Sequence, residues 1–227
     1  MRIGDFLYFS PHYRFSDLDF DKPDVVANAF QDRVEGFYFQ PAGRLVESED
    51  GFAAGLVICA GIEFIATAWR KQKPEDWLKS NLQVFAVDKF LANQFWQNFR
   101  HGLAHEGRIK SFGQFSLALR ETVVKYSGTL IVNPKLLLNG ANEAFRRQCA
   151  GASPEERKLL SQNLRRHFDA EVKASPAWAR PRSSRVWRSG SCTGTCRKAS
   201  RRSACWRSTW ARWSRAPMLI VVYCRLR

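Results

Sequence analysis

Apolar residues recur at helical spacing through five stretches of the first 174 residues, with polar and charged residues between them. This period of three to four residues predicts amphipathic helices whose apolar faces pack together. The stretches cover residues 24–38, 49–70, 82–106, 134–149 and 154–172. Residues 122–132 break the period, because they are β-branched around Ser127-Gly128. The pattern predicts an all-α fold: an antiparallel bundle of about five helices with a short β or extended insert near residues 122–132.

Local signals set the expected helix ends. Pro41 and Gly43 follow the first stretch, and they predict that its helix stops there. Ser153-Pro154-Glu155-Glu156 has the form of a capping box with proline at the first helical position, so it predicts the start of the last helix. For residues 82–106 we expect one continuous helix with a core-facing stripe: Val84, Val87, Phe90 or Leu91, Phe95, Phe99 and Leu103.

The composition changes after residue 174. The formal net charge of +15 comes mainly from residues 175–227, which carry 13 Lys and Arg and no Asp or Glu. Residues 1–174 carry the other 23 basic residues and all 21 acidic ones, so this part is nearly neutral. Global charge is therefore a poor guide to function here. We expect a helical domain over residues 1–174 and a basic tail over residues 175–227 that is disordered or a frame-shift product.

Three interpretations of the tail stay open. Arginines interleaved with tryptophans suit a nucleic-acid-binding arm, in which case affinity would lie in the tail. Four cysteines could form a metal site, although their spacings differ from the usual zinc pairs: Cys192, Cys196, Cys205 and Cys224. A reading-frame shift near residues 175–182 would also give a segment rich in Arg, Ser, Trp, Cys and Pro without acidic residues.

Two features bear on where the protein works. Cys59 and Cys149 are the only cysteines before the tail, so we expect no disulfide framework, and a reducing cytoplasm fits. Residues 52–69 are nearly apolar enough for a membrane span, but the segment is short, rich in small residues and contains Glu63. We therefore expect a buried bundle helix and no membrane partner. Glu63 needs an exposed edge or a partner, and Arg100 of the next helix is one candidate.

The clearest chemical signal is Arg100-His101-Gly102-Leu103-Ala104-His105. Arginine stays charged and can hold a phosphate, while histidine exchanges protons near neutral pH. On an α-helix His101 and His105 would lie about 40° apart, and Arg100 could reach the same pocket. These groups suit metal-independent cleavage of RNA. One histidine would accept the ribose 2′-OH proton, the other would protonate the leaving 5′-oxygen, and Arg100 would stabilise the charge on phosphorus.

The segment also fits a structural role and a metal site. Arginine and histidine are common in the last turn of a helix, where they oppose the negative end of the dipole, and Gly107 is typical of a helix stop. Histidines four residues apart could also bind a metal, although no third histidine or nearby carboxylate completes a ligand set. Residue spacing alone leaves both possibilities open.

The same residues resemble the signature of the HEPN superfamily, which is an arginine, a polar residue, any three residues and a histidine. His101 occupies the polar place, and FWQNFRHGLAHEGRIK resembles the end of the helix that carries this signature. The segment FAAGLVICAGIEFIA resembles the small-residue helix that packs against it. The resemblance covers roughly residues 25–173 and leaves the tail out.

This resemblance implies a helical bundle that forms a homodimer, with two signature helices meeting in one cleft. It implies a metal-independent endoribonuclease with no cofactor, in a toxin or defence role that could include an antitoxin protein. Arg100, His101 and His105 would be the catalytic residues, with Asn98, Glu106 and Glu63 as accessory candidates. The alternative is a non-catalytic HEPN module that binds RNA, a nucleotide or a protein partner.

Overall fold

The computed structural model describes residues 2–3, 6–88 and 90–174, and it confirms a helical bundle with a short β insert. The expectations for residues 175–227, including the four-cysteine site, lie outside the described residues. The helices are α1 Pro23–Val34, α2 Gln40–Glu47, α3 Gly51–Arg70, α4 Pro74–Asn81, α5 Gln83–Val87, α6 Leu91–Phe95, α7 Pro134–Ala150, α8 Pro154–His167 and α9 Asp169–Ala174. Two π-helical segments, Glu35–Phe39 and Trp96–Glu106, and a 3₁₀ turn, Phe15–Asp17, complete the helical elements described.

Among the described residues, five short strands form two small sheets. Strands β1 Arg2–Ile3 and β2 Phe6–Leu7 pair antiparallel near the start of the chain. The second sheet has the order β3–β5–β4, from β3 Gln114–Phe115, β4 Val123–Tyr126 and β5 Thr129–Val132. Strands β4 and β5 are the insert that the sequence predicts. Their turn has positive φ at Ser127 and Gly128, which matches the twist of a tight hairpin.

The prediction that the first helix stops at Pro41 and Gly43 is wrong. After α1 the chain winds as a π-helix over Glu35–Phe39 and continues directly into α2. The N–H of Gln40 donates to the carbonyl of Glu35, five residues back, so the hydrogen-bond ladder changes register there. Pro41 then falls in the first turn of α2, where a missing N–H costs little.

The prediction of one continuous helix over residues 82–106 is also wrong. Helix α5 ends at Val87, and Asp88 has extended backbone angles. The Asp88 carboxylate accepts a hydrogen bond of 2.8 Å from the N–H of Phe90, a local contact that competes with helix formation. Val87, expected in the core, is 82% exposed, and of the alternatives Phe90 and Leu91 the first is 73% exposed. The rest of the stripe is buried beyond the break: Leu91, Phe95, Phe99 and Leu103.

Helix α3 lies at the centre of the bundle, packed against α2, α7, α8 and the π-helical segment Trp96–Glu106. Small residues on α3 also allow other elements to approach it closely. The ring of Phe115 in β3, for example, lies against Gly55 with no room for a Cβ. By length and composition α3 could cross a membrane, with 20 residues and a hydropathy of 1.8 over its most apolar window. In this fold 56% of that window is buried against the other elements.

Arg33 of α1 contacts residues from near both ends of the described chain. The Arg33 guanidinium lies 4.8–5.4 Å from the ring centres of Phe9, Phe37, Phe64 and Phe168. Its Nη1 atom also donates a hydrogen bond to the carbonyl of Phe9. Cation–π attraction of this kind offsets part of the cost of burying the charge. The N-terminal segment and the end of α8 therefore pack around one side chain of α1.

The start of α8 has the predicted capping box. The Ser153 hydroxyl accepts a hydrogen bond from the Glu156 N–H, and the Glu156 carboxylate accepts one from the Ser153 N–H. The same carboxylate is paired with Arg70 at the end of α3. Reciprocal capping satisfies two N–H groups that a helix start leaves open. The Arg70 contact fixes that start against α3.

Candidate functional site

The candidate site is built on the π-helical segment Trp96–Glu106, called here the Arg–His helix. Its winding is visible at its end, where the N–H of Gly107 donates to the carbonyl of Gly102, five residues back. On an α-helix, residues five apart would point about 140° away from each other. In a π-helix the ladder joins residues five apart, so they lie one above the other. The expectation of α-helical winding for the arginine–histidine segment is therefore wrong.

This winding brings Arg100 into direct contact with His105. Arg100 Nη1 lies 2.8 Å from His105 Nε2. An arginine only donates hydrogen bonds, so Nε2 must carry the lone pair and the ring is neutral in this contact. The ring of His101 lies beside that of His105, with centres 5.6 Å apart and planes 25° from parallel. All three predicted catalytic residues therefore lie in one cluster.

Glu63 of α3 holds Arg100 from the opposite side. The Nε atom of Arg100 donates to Glu63 Oε2 at 3.0 Å, and Nη2 lies 2.7 Å from both carboxylate oxygens. The Arg100 and Glu63 side chains are 20% and 38% exposed, so the pair stands at the surface of the bundle. The candidate pairing of Glu63 with Arg100 is thus present. Such a fork fixes the plane of the guanidinium as well as its position.

Arg100 keeps donor capacity for a ligand. A guanidinium has five N–H groups. Glu63 takes Nε and Nη2, and His105 takes one hydrogen of Nη1. The second Nη1 hydrogen has no bond among the described residues. An incoming phosphate oxygen could therefore reach Arg100 on the side of His105 without displacing Glu63.

The accessory candidates Asn98 and Glu106 bond to the chain that follows the helix. Lys110 donates its backbone N–H to the carbonyl of Asn98 at 2.9 Å. Glu106 pairs with Lys110 at 2.6 Å and with Arg108 at 2.9 Å. The Lys110 ammonium, with Arg108 beside it, holds the pKa of Glu106 below its usual value. Both residues therefore anchor residues 107–110, named here the return segment.

Gly102 is what lets the return segment lie so close to the Arg–His helix. A Cβ on Gly102 would collide with the carbonyl oxygen of Arg108 and stand 3.1 Å from the Lys110 nitrogen. Gly107 begins the reversal with a φ of 65°, a conformation that glycine adopts without strain. The close packing of the return segment thus requires a glycine at position 102, between His101 and His105.

The nearby cysteine is a poor nucleophile. Burial raises the pKa of Cys59 to about 12, so its thiol stays protonated at neutral pH. Burial also raises the pKa of Cys149 to about 12, so its thiol is protonated at neutral pH as well. Within residues 6–88 and 90–174, no three His, Cys, Asp or Glu side chains come together closely enough to hold a metal ion.

Some parts of the site had no clear sequence signal. The π-helical winding and the ion pairs of Glu106 are not visible in residue spacing. A basic cavity at the end of α3, lined by Lys71, Arg166 and His167, was also missed, because its residues come from distant parts of the chain.

Fold and site together define a helical protein in which Arg100 and His105 of a π-helical segment form a cluster with Glu63 of α3. Comparisons of the chain with family models, with curated proteins and with solved structures found no match.

Proposed function

We propose that this chain is a metal-independent endoribonuclease of the HEPN type. The observation that carries the proposal is the contact between Arg100 and His105, with Glu63 fixing the arginine from the other side. A permanent cation next to a neutral imidazole is the pair that cleavage by a ribose 2′-OH needs. The HEPN resemblance of the same residues adds to this argument.

The geometry suggests an order of events. A phosphate oxygen of the RNA binds Arg100 Nη1 and replaces its hydrogen bond to His105. The Nε2 lone pair is then free to accept the proton of the 2′-OH, whose oxygen attacks phosphorus. The bond to the 5′-oxygen breaks, and that oxygen takes a proton from an imidazolium. The products are a 2′,3′-cyclic phosphate and a 5′-hydroxyl. DNA lacks the 2′-OH and would not react.

A homodimer would supply the second imidazole. Phe52, Leu56 and Glu63 lie on one face of α3, because steps of four and seven residues differ by about 40° and 20° around an α-helix. The first two are large apolar side chains that are 48% and 37% exposed, on the same face of α3 as Glu63. A two-fold contact through this face would cover it and bring two Arg–His helices together. His101 or His105 of the second copy would then protonate the leaving oxygen.

The biological setting is part of the same proposal. The resemblance favours a cytoplasmic toxin or defence nuclease, with RNA as substrate and an antitoxin protein as a further partner. The competing function is a non-catalytic module that binds RNA, a nucleotide or a protein. One observation favours it: Glu63 neutralises most of the charge that Arg100 would offer to a phosphate.

The deciding experiment is RNA cleavage in EDTA by the wild type, Arg100→Ala and His105→Ala. Arg147→Ala and His12→Ala are matched controls, because both side chains are exposed and stand apart from the cluster. We expect each site variant to lose roughly 100-fold or more in rate, and the controls to cleave normally. Folded, dimeric wild type that cleaves none of several RNAs would favour the binding module instead.

A further inference from the structure

The basic cavity at the C-terminal end of α3 has a volume of about 390 Å³. Its polar lining comes from α3, the residues after it, and α8: Thr67, Lys71, Gln72, Asn163, Arg166 and His167. Two permanent cations and an imidazole line this cavity, and none of its lining residues is a carboxylate. Such a lining is suited to an anion that accepts several hydrogen bonds.

The two cations of this cavity, Lys71 and Arg166, differ in their ion pairing from Arg70 and Arg165, which precede them in the chain. Arg70 is paired with Glu156, and Arg165 lies 3.5 Å from Asp21. Lys71 and Arg166 make no ion pair within the part of the chain that the structure describes. Their charges are therefore available to a ligand from solution.

The end of a helix normally disfavours an anion, because its free carbonyl groups carry negative charge. Here several of those carbonyls are already bonded. The buried Asn163 amide donates to Ala68 and Trp69 at 3.1 and 3.3 Å. The N–H groups of Lys71 and Gln72 both donate to the carbonyl of Ala66. The opposing effect of the helix end is thereby reduced.

The cavity and the Glu–Arg–His cluster share one element, because α3 contributes Glu63 to the cluster and Thr67 to the cavity. Thr67 follows Glu63 by four residues, so it stands on the same face about 6 Å further along the helix. Glu63 holds Arg100, and Thr67 lines the cavity. A strand whose cleaved phosphate meets Arg100, and which runs along this face of α3 toward its C-terminal end, would therefore reach the cavity with a neighbouring phosphate.

We infer that this cavity binds a second phosphate of the RNA strand, adjacent to the one cleaved at Arg100 and His105. Arg166 offers its fork of donors, Lys71 a single ammonium, and Thr67 a hydroxyl. The contact fixes the register of the strand and carries no base preference. This inference rests on the proposed nuclease function, because it places the cavity on the path of the substrate.

The test compares full-length wild type with Lys71→Gln/Arg166→Gln. Glutamine removes each charge and keeps a long unbranched side chain at Lys71, which has a positive φ. The control is Lys135→Gln/Lys158→Gln, which removes two exposed charges from α7 and α8. We expect kcat/KM for a short RNA to fall about 10-fold in the first double variant, mostly through KM. The salt dependence of binding should flatten by about 0.7 in log–log slope, the value for one lost phosphate contact.

A second arm uses RNAs in which single phosphates are replaced by uncharged methylphosphonates. One replacement next to the cleaved phosphate should weaken the wild type about 10-fold and leave the Lys71/Arg166 variant unchanged. If the wild type cleaves and both enzymes have the same KM and salt slope, the inference is wrong and the nuclease proposal stands. If inorganic phosphate binding alone depends on the two residues, the cavity is a free-phosphate site and the RNA inference is overturned.

Failure of the nuclease proposal gives a different result. If the wild type cleaves no RNA, the same methylphosphonate series is measured as binding to the wild type and the double variant. A position-dependent loss that needs Lys71 and Arg166 would still support a phosphate subsite on an RNA-binding module. Equal binding by both proteins would reject it.

Discussion

Glu63 and Arg100 come from different helices, yet both oxygens of the carboxylate lie within 2.7 Å of one guanidinium nitrogen. The pair leaves the Nη1 side of Arg100 turned toward His105. In the proposed nuclease Glu63 would therefore be a positioning residue, because it reaches the reacting groups only through the arginine. It also keeps the charge of the unliganded cluster close to neutral.

Glu63→Gln should reduce RNA cleavage about 10-fold, mainly in kcat, because the amide can accept only part of the fork and Arg100 loses its fixed plane. The free energy of unfolding should fall by only about 1 kcal/mol, since the pair is partly exposed. Kinetics and urea unfolding measure the two effects. Glu143→Gln, which breaks a more exposed pair with Arg147, is the control and should leave kcat unchanged. Wild-type kcat in the Glu63 variant would rule out the positioning role.

Gly102→Ala should destabilise the protein by about 2 kcal/mol, because the new methyl group collides with the carbonyl of Arg108. The return segment must then move, and cleavage should fall with it. Gly43→Ala is the matched control, since its Cβ would meet only Leu138 at 3.9 Å within a helix. That change should stabilise by up to about 1 kcal/mol. Thermal unfolding of both variants checks the opposite signs, and equal shifts would contradict the close packing at Gly102.

Glu156 should make stability depend on acid pH. The pairing with Arg70 and the hydrogen bond from the Ser153 N–H lower its pKa below the usual 4.5. A carboxylate with a lowered folded-state pKa stabilises the fold above its unfolded pKa, and this contribution is lost as pH falls through the folded value. Glu156→Gln should therefore cost about 1 kcal/mol at pH 7 and progressively less below about pH 4. Urea unfolding at several pH values, with exposed Glu47→Gln as control, measures this. A cost that is the same at every pH would contradict it.

A chain that ends at Ala174 should keep its helical circular dichroism and its RNA cleavage. The cut removes residues 175–227, with 13 basic charges and no acidic ones, so nonspecific RNA affinity at low salt should fall. Helix α8 and the residue after it contribute Leu160, Leu164 and Phe168 to the core, and all three precede the cut. Loss of all RNA binding would favour the nucleic-acid arm, and cleavage retained at physiological salt would place the activity in residues 1–174.

The sequence predicted those elements whose signals are local. Periodicity located α3, α7 and α8, and the capping box marked the start of α8 because its four residues bond to one another. The pairing of Glu63 with Arg100 was open to prediction because a carboxylate in an apolar helix needs a partner. In each case the signal lay within one segment of the sequence, or came from one polar group that needs a partner.

The remaining features depend on hydrogen bonds and packing contacts that compete with regular α-helix formation, and residue spacing does not reveal them. Asp88 breaks a helix that its apolar neighbours favour, since its carboxylate takes the N–H of Phe90. Pro41 is tolerated because a π-helical turn shifts the ladder just before it. The contact of Arg100 with His105 occurs in a π-helical segment, and the return segment packs against Gly102 of that segment. The periodicity of apolar residues does not register any of these contacts.

The arginine enclosed by four phenylalanines also constrains when the protein can fold. Phe9 and Phe37 are made early in synthesis, whereas Phe168 leaves the ribosome about 130 residues after Arg33. Domains usually fold as units, so the N-terminal segment has no complete partner until nearly all described residues are made. Until then the ring of Phe168 is missing from the four that surround Arg33. For a nuclease this delay would keep the site unassembled on its own messenger RNA until synthesis of the bundle is almost finished.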